Sequence, residues 1–388
     1  MTWEAITAMT SQVELDDVTT DTESTSSKNN ADDDTNESEV ISKVIEVLFV
    51  YVYPILVICG MLANVLIIVV ITRPKNRKLS TFLNILVLAT CDSLVLFLDF
   101  INNFFKSFLG IPTIGFNSVV CVLYRWAFVT LFMFSAWIVV ITTVQRLVVI
   151  WRPFEAYKSS SSKKKSGFIL LGFFVACALF NLYNVFAWTS RENNCDFADG
   201  WEYFLTNQSA IIVYTLYSYI PSIILLVSNS IIIKIIRKAG EKKLSESDPS
   251  KKQGMSRSMQ VTRTVLSISF TFLCLTVPVS VFFIYQVFTG QHIDMSETMF
   301  MFETIFLLLA LSNHSVNFII YIATIESFRA DCRRMMLFWR KEGGSQMKGL
   351  GGERPGSSHP RAKYEVDQTQ SDSRTTHRQH KHSSPQSA

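Results

Sequence analysis

The 388-residue chain carries a formal net charge of +4, yet only 18% of its residues are charged while 49% are hydrophobic, among them 30 Phe. The charges fall into blocks that leave long tracts almost uncharged. A soluble globular chain needs charged faces on nearly every helix, so this pattern excludes one and suits a chain solvated by lipid.

Residues 1–43 hold eleven acidic side chains, two lysines and many Ser, Thr and Asn. Such a composition buries too little apolar surface to offset the entropy of ordering, and it predicts a disordered acidic N-terminus. The segment lacks the basic start, apolar run and small-residue cleavage site of a signal peptide, so the first hydrophobic helix is expected to be its own insertion signal.

A helix crossing a hydrocarbon core of about 30 Å takes roughly 20 apolar residues. Seven segments qualify: 44–72, 80–105, 118–151, 166–189, 209–238, 258–288 and 296–323. The expected fold class is therefore an all-α membrane protein, a seven-transmembrane helix bundle spanning 44–323. Residues 324–341 place Phe328, Met335, Met336, Leu337, Phe338 and Trp339 among four arginines, the pattern of a short amphipathic eighth helix on the membrane surface. Residues 342–388, rich in Ser, Gln, His and Arg, are expected to form a disordered tail.

Lys and Arg gather after span one, after span three and between spans five and six, whereas the alternate connections are sparse and mostly acidic. The positive-inside bias then places the N-terminus extracellular and the C-terminus cytoplasmic. Asn36-Glu-Ser38 and Asn207-Gln-Ser209 become outward-facing glycosylation sequons. Cys121, at the head of span three, and Cys195, between spans four and five, share this oxidising side and predict a disulfide. Cys332, on the amphipathic helix, is a palmitoylation candidate.

An ionisable group in mid-bilayer costs at least about 2.5–3.5 kcal/mol, so it calls for a partner. Asp92 lies roughly 18 Å into span two, counting about 1.5 Å per residue from Ser80. Asn313, Asn317 and Tyr321 share one face of span seven, and Ser135 sits at similar depth in span three. This set either converges on a hydrated pocket around Asp92 or forms separate interhelical hydrogen bonds. Arg146 lies near the inner end of span three, where a snorkelling arginine also fits. Pro221 and Pro278 interrupt spans five and six.

Taken in order, Gly60-x-x-x-Asn64, Leu88-Ala89-x-x-Asp92, Cys121 with Arg146 twenty-five residues on, and Asn317-Phe-Ile-Ile-Tyr321 followed by Phe328 resemble the rhodopsin-like (class A) G-protein-coupled receptors over about residues 44–340. The resemblance implies a plasma-membrane receptor in which an extracellular ligand shifts a two-state equilibrium of the bundle. Span six swings outward at its inner end, and a heterotrimeric G protein engages Arg146 and Tyr321. It also implies a sodium ion held by Asp92, Ser135, Asn313 and Asn317, with no other cofactor. Arrestin is an implied partner through tail residues such as Ser371 and Thr375. Membrane lipid is the surroundings, and no nucleic acid or enzymatic activity is expected, since no phosphate-binding loop, metal cluster or nucleophile motif is visible.

The chain departs from that pattern. Gln145 precedes Arg146 where an acid is usual, and residues 249–287 hold no Asp or Glu, so Arg146 lacks both usual partners and raised ligand-free signalling is expected. Thr276 stands in place of the Trp of span six, Phe318 in place of the Pro of span seven, and His314 adjoins the ion site. Span seven has no Lys to anchor retinal, and span three has no acid between Cys121 and Gln145 to meet a biogenic amine. A peptide is the preferred ligand. The acidic outer loops and Glu303 would attract a basic ligand, and Arg125, Phe128 and Phe132 are its expected contacts, with Phe-x-Phe-Ser-Ala-Trp137 resembling invertebrate neuropeptide receptors. The rival readings are a secondary transporter, against which no internal repeat is found, and a non-signalling or chemosensory receptor relative.

Overall fold

A computed structural model describes residues 28–74, 81–109, 113–151, 163–242, 249–290 and 296–335. The chain divides into two units, Met1–Met336 and Leu337–Ala388. The second lies outside the described residues, and with it the expected tail 342–388, its Ser and Thr sites and the end of the amphipathic segment.

In the first unit, α1 (Lys28–Val47) continues through a π turn at Leu48–Val52 into α2 (Tyr53–Ile71), and together they make span one. Span two is α3 (Phe82–Leu109) and span three is α4 (Ser118–Trp151). Span four joins α5 (Lys163–Phe180) to the short α6 (Asn184–Ala187), and a hairpin of β1 (Trp188–Arg191) and β2 (Asn194–Phe197) follows. Span five comprises α7 (Ser209–Tyr214) and α8 (Ile220–Lys242); span six is α9 (Pro249–Thr289). Span seven is the pair α10 (Glu297–Ser315) and α11 (Asn317–Thr324), bent by 45°. A last helix, α12, covers 326–335. Among the described residues, six helices are long and apolar enough to cross a membrane, and the bent pair makes seven.

Two expectations need correction. The helix of span one starts at Lys28, so residues 28–43 are helical, against the expected disorder of 1–43. Its later turns have a reason to be ordered: Ile41 and Ile45 are buried against Phe300 of span seven, and Glu39 and Lys43 pair one turn apart. Span four ends at Ala187 because Trp188 turns extended, at φ −124° and ψ 148°, opening a hairpin that no alternation in the sequence had suggested.

Both faces of these helices are apolar, as lipid solvation requires. Along α2 the buried Tyr53, Val57, Gly60, Asn64 and Ile67 recur three and four apart, while Ile55, Ile58, Leu62, Val65 and Val69 between them are exposed. Span three is central, packing against spans two, four, five and six. Each interruption of the helical ladder has a local setting. Pro221 has no N–H for the carbonyl of Tyr217, and the turn before it widens to a π turn at Thr215–Tyr219. Around Pro278, the Thr276 and Ser280 hydroxyls donate to the Phe272 and Thr276 carbonyls. Span seven bends without a proline: Asn64 Nδ2 donates to the His314 carbonyl at 2.8 Å, taking that oxygen out of the helical ladder.

Candidate functional site

Three clusters of polar groups lie along the bundle. At one end Cys121 and Cys195 are joined, with Cα atoms 5.4 Å apart. Asn117 prepares this end of span three, its Oδ1 accepting from the Val119 amide at 2.7 Å as a helix cap. Glu192 and Asn193 both take positive φ, 49° and 62°, the two-residue primed turn that matches strand twist. That turn sets Cys195 opposite Ser190. The Ser190 amide donates to Ser118 Oγ at 3.1 Å and its hydroxyl to the Gly115 carbonyl. A Cβ on Gly115 would collide with the Asn193 backbone, so only glycine lets the hairpin tip lie there.

Beneath the hairpin stand the expected ligand contacts. Arg125 stacks on Trp188 of β1, Cζ 3.8 Å from the ring centre, a cation–π contact, and its Nε has no partner. Tyr124, Phe128 and Phe132 stack one turn apart at 5.8 and 6.0 Å, and Phe132 ends the ladder against Tyr217 at 4.3 Å and His314 at 5.1 Å. Glu303 is buried, bonded to Gln286 of span six, with Oε2 unpartnered. No ion pair joins Glu303 to Arg125 among the described residues. Asp99, which the sequence reading passed over, ties spans one and two: it accepts from Tyr53 Oη at 2.7 Å and Asn103 Nδ2 at 3.0 Å. Its seven-residue offset from Asp92 on one helix face was the available signal.

The middle cluster surrounds Asp92, which is fully buried. Its Oδ1 accepts from Ser135 Oγ at 2.6 Å and His314 Nδ1 at 2.7 Å, and its Oδ2 from Asn317 Nδ2 at 2.7 Å. The structure thus joins Asp92, Ser135 and Asn317 as expected, adds His314, and gives Asn313 no hydrogen bond to the carboxylate. These residues do not fit a sodium ion. A hard cation needs oxygen lone pairs around it, whereas three donors, two of them N–H groups, converge on this carboxylate with their positive ends inward.

At the opposite end Arg146 is buried, makes no ion pair among the described residues, and has an unpartnered Nε. Gln145 turns away from it into a cluster linking spans two, three and four: Asn84 Nδ2 donates to Gln145 Oε1 at 2.9 Å and Thr142 Oγ1 at 3.0 Å, while Ser166 Oγ donates to Asn84 Oδ1 at 2.8 Å. Span six packs here through Val261 and Ile268 of the core, and its polar contacts are Thr143–Ser269 at 2.9 Å, Thr264–Thr324 at 2.8 Å and Gln260–Glu326 at 3.3 Å. A small cleft of about 20 Å³ opens between spans two, three, six and seven, lined among others by Thr81, Asn84, Thr143, Thr264 and Tyr321. The Tyr321 hydroxyl is buried without a partner, and its ring lies 5.9 Å from Phe328.

The modification sites fare differently. Asn36 falls in α1, its side chain outside the described residues. Asn207 lies in a helical turn, where Nδ2 donates to Thr206 Oγ1 at 2.9 Å and to the Tyr203 carbonyl at 3.3 Å. Cys332 is buried in the main core cluster with Ile325 and Phe328, so this conformation does not present it for palmitoylation, and burial pushes its thiol pKa up.

A family model described as 7 transmembrane receptor (rhodopsin family) matches residues 63–321. No curated protein matches the chain.

Proposed function

The chain belongs to the rhodopsin family of seven-transmembrane receptors, and from that premise we propose that it is a plasma-membrane receptor for an extracellular peptide that activates a heterotrimeric G protein. The disulfide end faces outward and the Arg146 end faces the cytoplasm. One observation carries the signalling part: among the described residues Arg146 is buried with no acidic partner, and beside the apolar packing of Val261 and Ile268 span six makes only neutral and single-charge polar contacts there. Outward movement of span six then parts this apolar packing and breaks a few exchangeable hydrogen bonds, each worth about 0.6 kcal/mol inside a membrane, with no described ion pair to break. The active state is correspondingly accessible, and ligand-free signalling is raised.

The ligand part rests on chemistry. The buried Glu303 keeps a free carboxylate oxygen, which suits a basic group, and the ladder of Tyr124, Phe128 and Phe132 suits apolar side chains. A basic peptide with aromatic or aliphatic residues offers both. The chain passes its signal to the G protein by conformation and carries out no chemistry on the ligand.

The test is to express wild type and Arg146→Ala in cultured cells and record G-protein activation with and without a neuropeptide library. A peptide response in wild type that disappears in a surface-expressed Arg146→Ala supports the reading. Silence of well-expressed wild type towards every peptide, with basal activity equal to mock-transfected cells, overturns it.

A further inference from the structure

We propose that His314 is a tethered substitute for a mobile cation at Asp92, so that this receptor does not bind sodium in its bundle and its conformational equilibrium is indifferent to it. A carboxylate with no counterion in a dry bundle is costly, and a bound cation is one remedy. Here the remedy is part of the chain. A carboxylate can only accept, so the Nδ1 of His314 that lies 2.7 Å from Asp92 Oδ1 carries the proton. Ser135 and Asn317 complete a shell of three donors on the two oxygens.

The imidazole is also held in place. Both it and Asp92 are fully buried. One side of the ring meets Phe132 at 5.1 Å, and Phe132 is itself packed on Tyr217 and Phe128. The His314 carbonyl is bound by Asn64. To admit a cation the ring would have to leave Asp92 and displace the aromatic ladder, and Asn317 would have to turn its carbonyl oxygen inward. Asn313, an expected ligand, makes no contact with the carboxylate that would guide an ion in. The arrangement follows from one residue, His314, placed beside Asn317 and Ser135 around the carboxylate, and it stands independently of the ligand and G protein.

The experiment compares thermal unfolding of the purified full chain in about 150 mM NaCl and in equimolar choline chloride. Wild type is expected to show the same midpoint in both. His314→Ser shortens the side chain, frees one Asp92 oxygen and supplies a hydroxyl, and its midpoint is expected to rise by about 2–4 °C in sodium, saturably. Adding Asp92→Asn to that variant removes the rise. A saturable, sodium-specific shift in wild type that Asp92→Asn abolishes overturns the proposal, as does a folded His314→Ser that ignores sodium. Should His314→Ser not fold, wild type and Asp92→Asn decide the matter alone: coincident wild-type curves uphold the proposal, and an Asp92-dependent sodium shift ends it.

Discussion

Asn84 is the hub of the cluster at the Arg146 end, and Asn84→Leu keeps its branched shape while removing every polar contact. The side chain makes three hydrogen bonds, to Gln145, Thr142 and Ser166, at 2.9, 3.0 and 2.8 Å. Gln145 makes two, the first shared with Asn84 and the second from Nε2 to Ser166 Oγ at 3.3 Å. At about 0.6 kcal/mol per interhelical bond, Asn84→Leu costs on the order of 2 kcal/mol and Gln145→Leu on the order of 1 kcal/mol. Because one bond is common to both, the double variant falls short of additivity by about 0.6 kcal/mol. In midpoint terms Asn84→Leu lowers thermal unfolding by roughly 4–8 °C. The assay is thermal unfolding of the four solubilised proteins, wild type, two singles and the double, in one detergent. Strict additivity would refute the shared bond, and an unchanged midpoint for Asn84→Leu would refute the claim that this cluster fastens spans two, three and four.

Gly60→Ala places a methyl group against Ser315 and 2.9 Å from Leu96 Cδ1, so it is expected to destabilise by about 1–3 kcal/mol through overpacking, read as a lower unfolding midpoint; Leu96→Ala in the same chain should restore part of it. Cys195→Ser frees the hairpin from span three, and the expected outcome is loss of ligand response with reduced surface expression, consistent with the usual cost of about 2–5 kcal/mol for a native disulfide. Glu303→Gln keeps shape and removes charge: dose–response curves should move about tenfold or more for a basic peptide, the loss of one charged hydrogen bond, and little for an analogue with that basic group neutralised.

Gln145 shows how a single substitution read in sequence changes its meaning in space. The absence of an acid before Arg146 was legible, and with it the prediction that Arg146 would be unpaired. That Gln145 would be used instead to bind Asn84 and Ser166 was not, because those partners lie 61 and 21 positions away and no local pattern encodes them. Asp92, Ser135 and Asn317 were found by depth and face, which helical geometry computes from residue number alone. His314 stands out in the sequence only as an unusual neighbour of the ion site; its bond to Asp92 depends on how span seven is rotated just before its bend.

The sequence by itself determined the solvent, the number of spans, their ends to within a few residues for most helices, and the pairing of Cys121 with Cys195. Each of these follows from a one-dimensional property: hydropathy over a fixed thickness, and two thiols placed at matching ends of their spans. Only the tertiary structure decided that Arg125 stacks on Trp188, that span four gives way to a hairpin, and that a histidine nitrogen meets Asp92. Those outcomes turn on which faces of separate helices meet within a hydrogen-bond length, and a shift of about 1 Å or one-third of a helical turn reverses them.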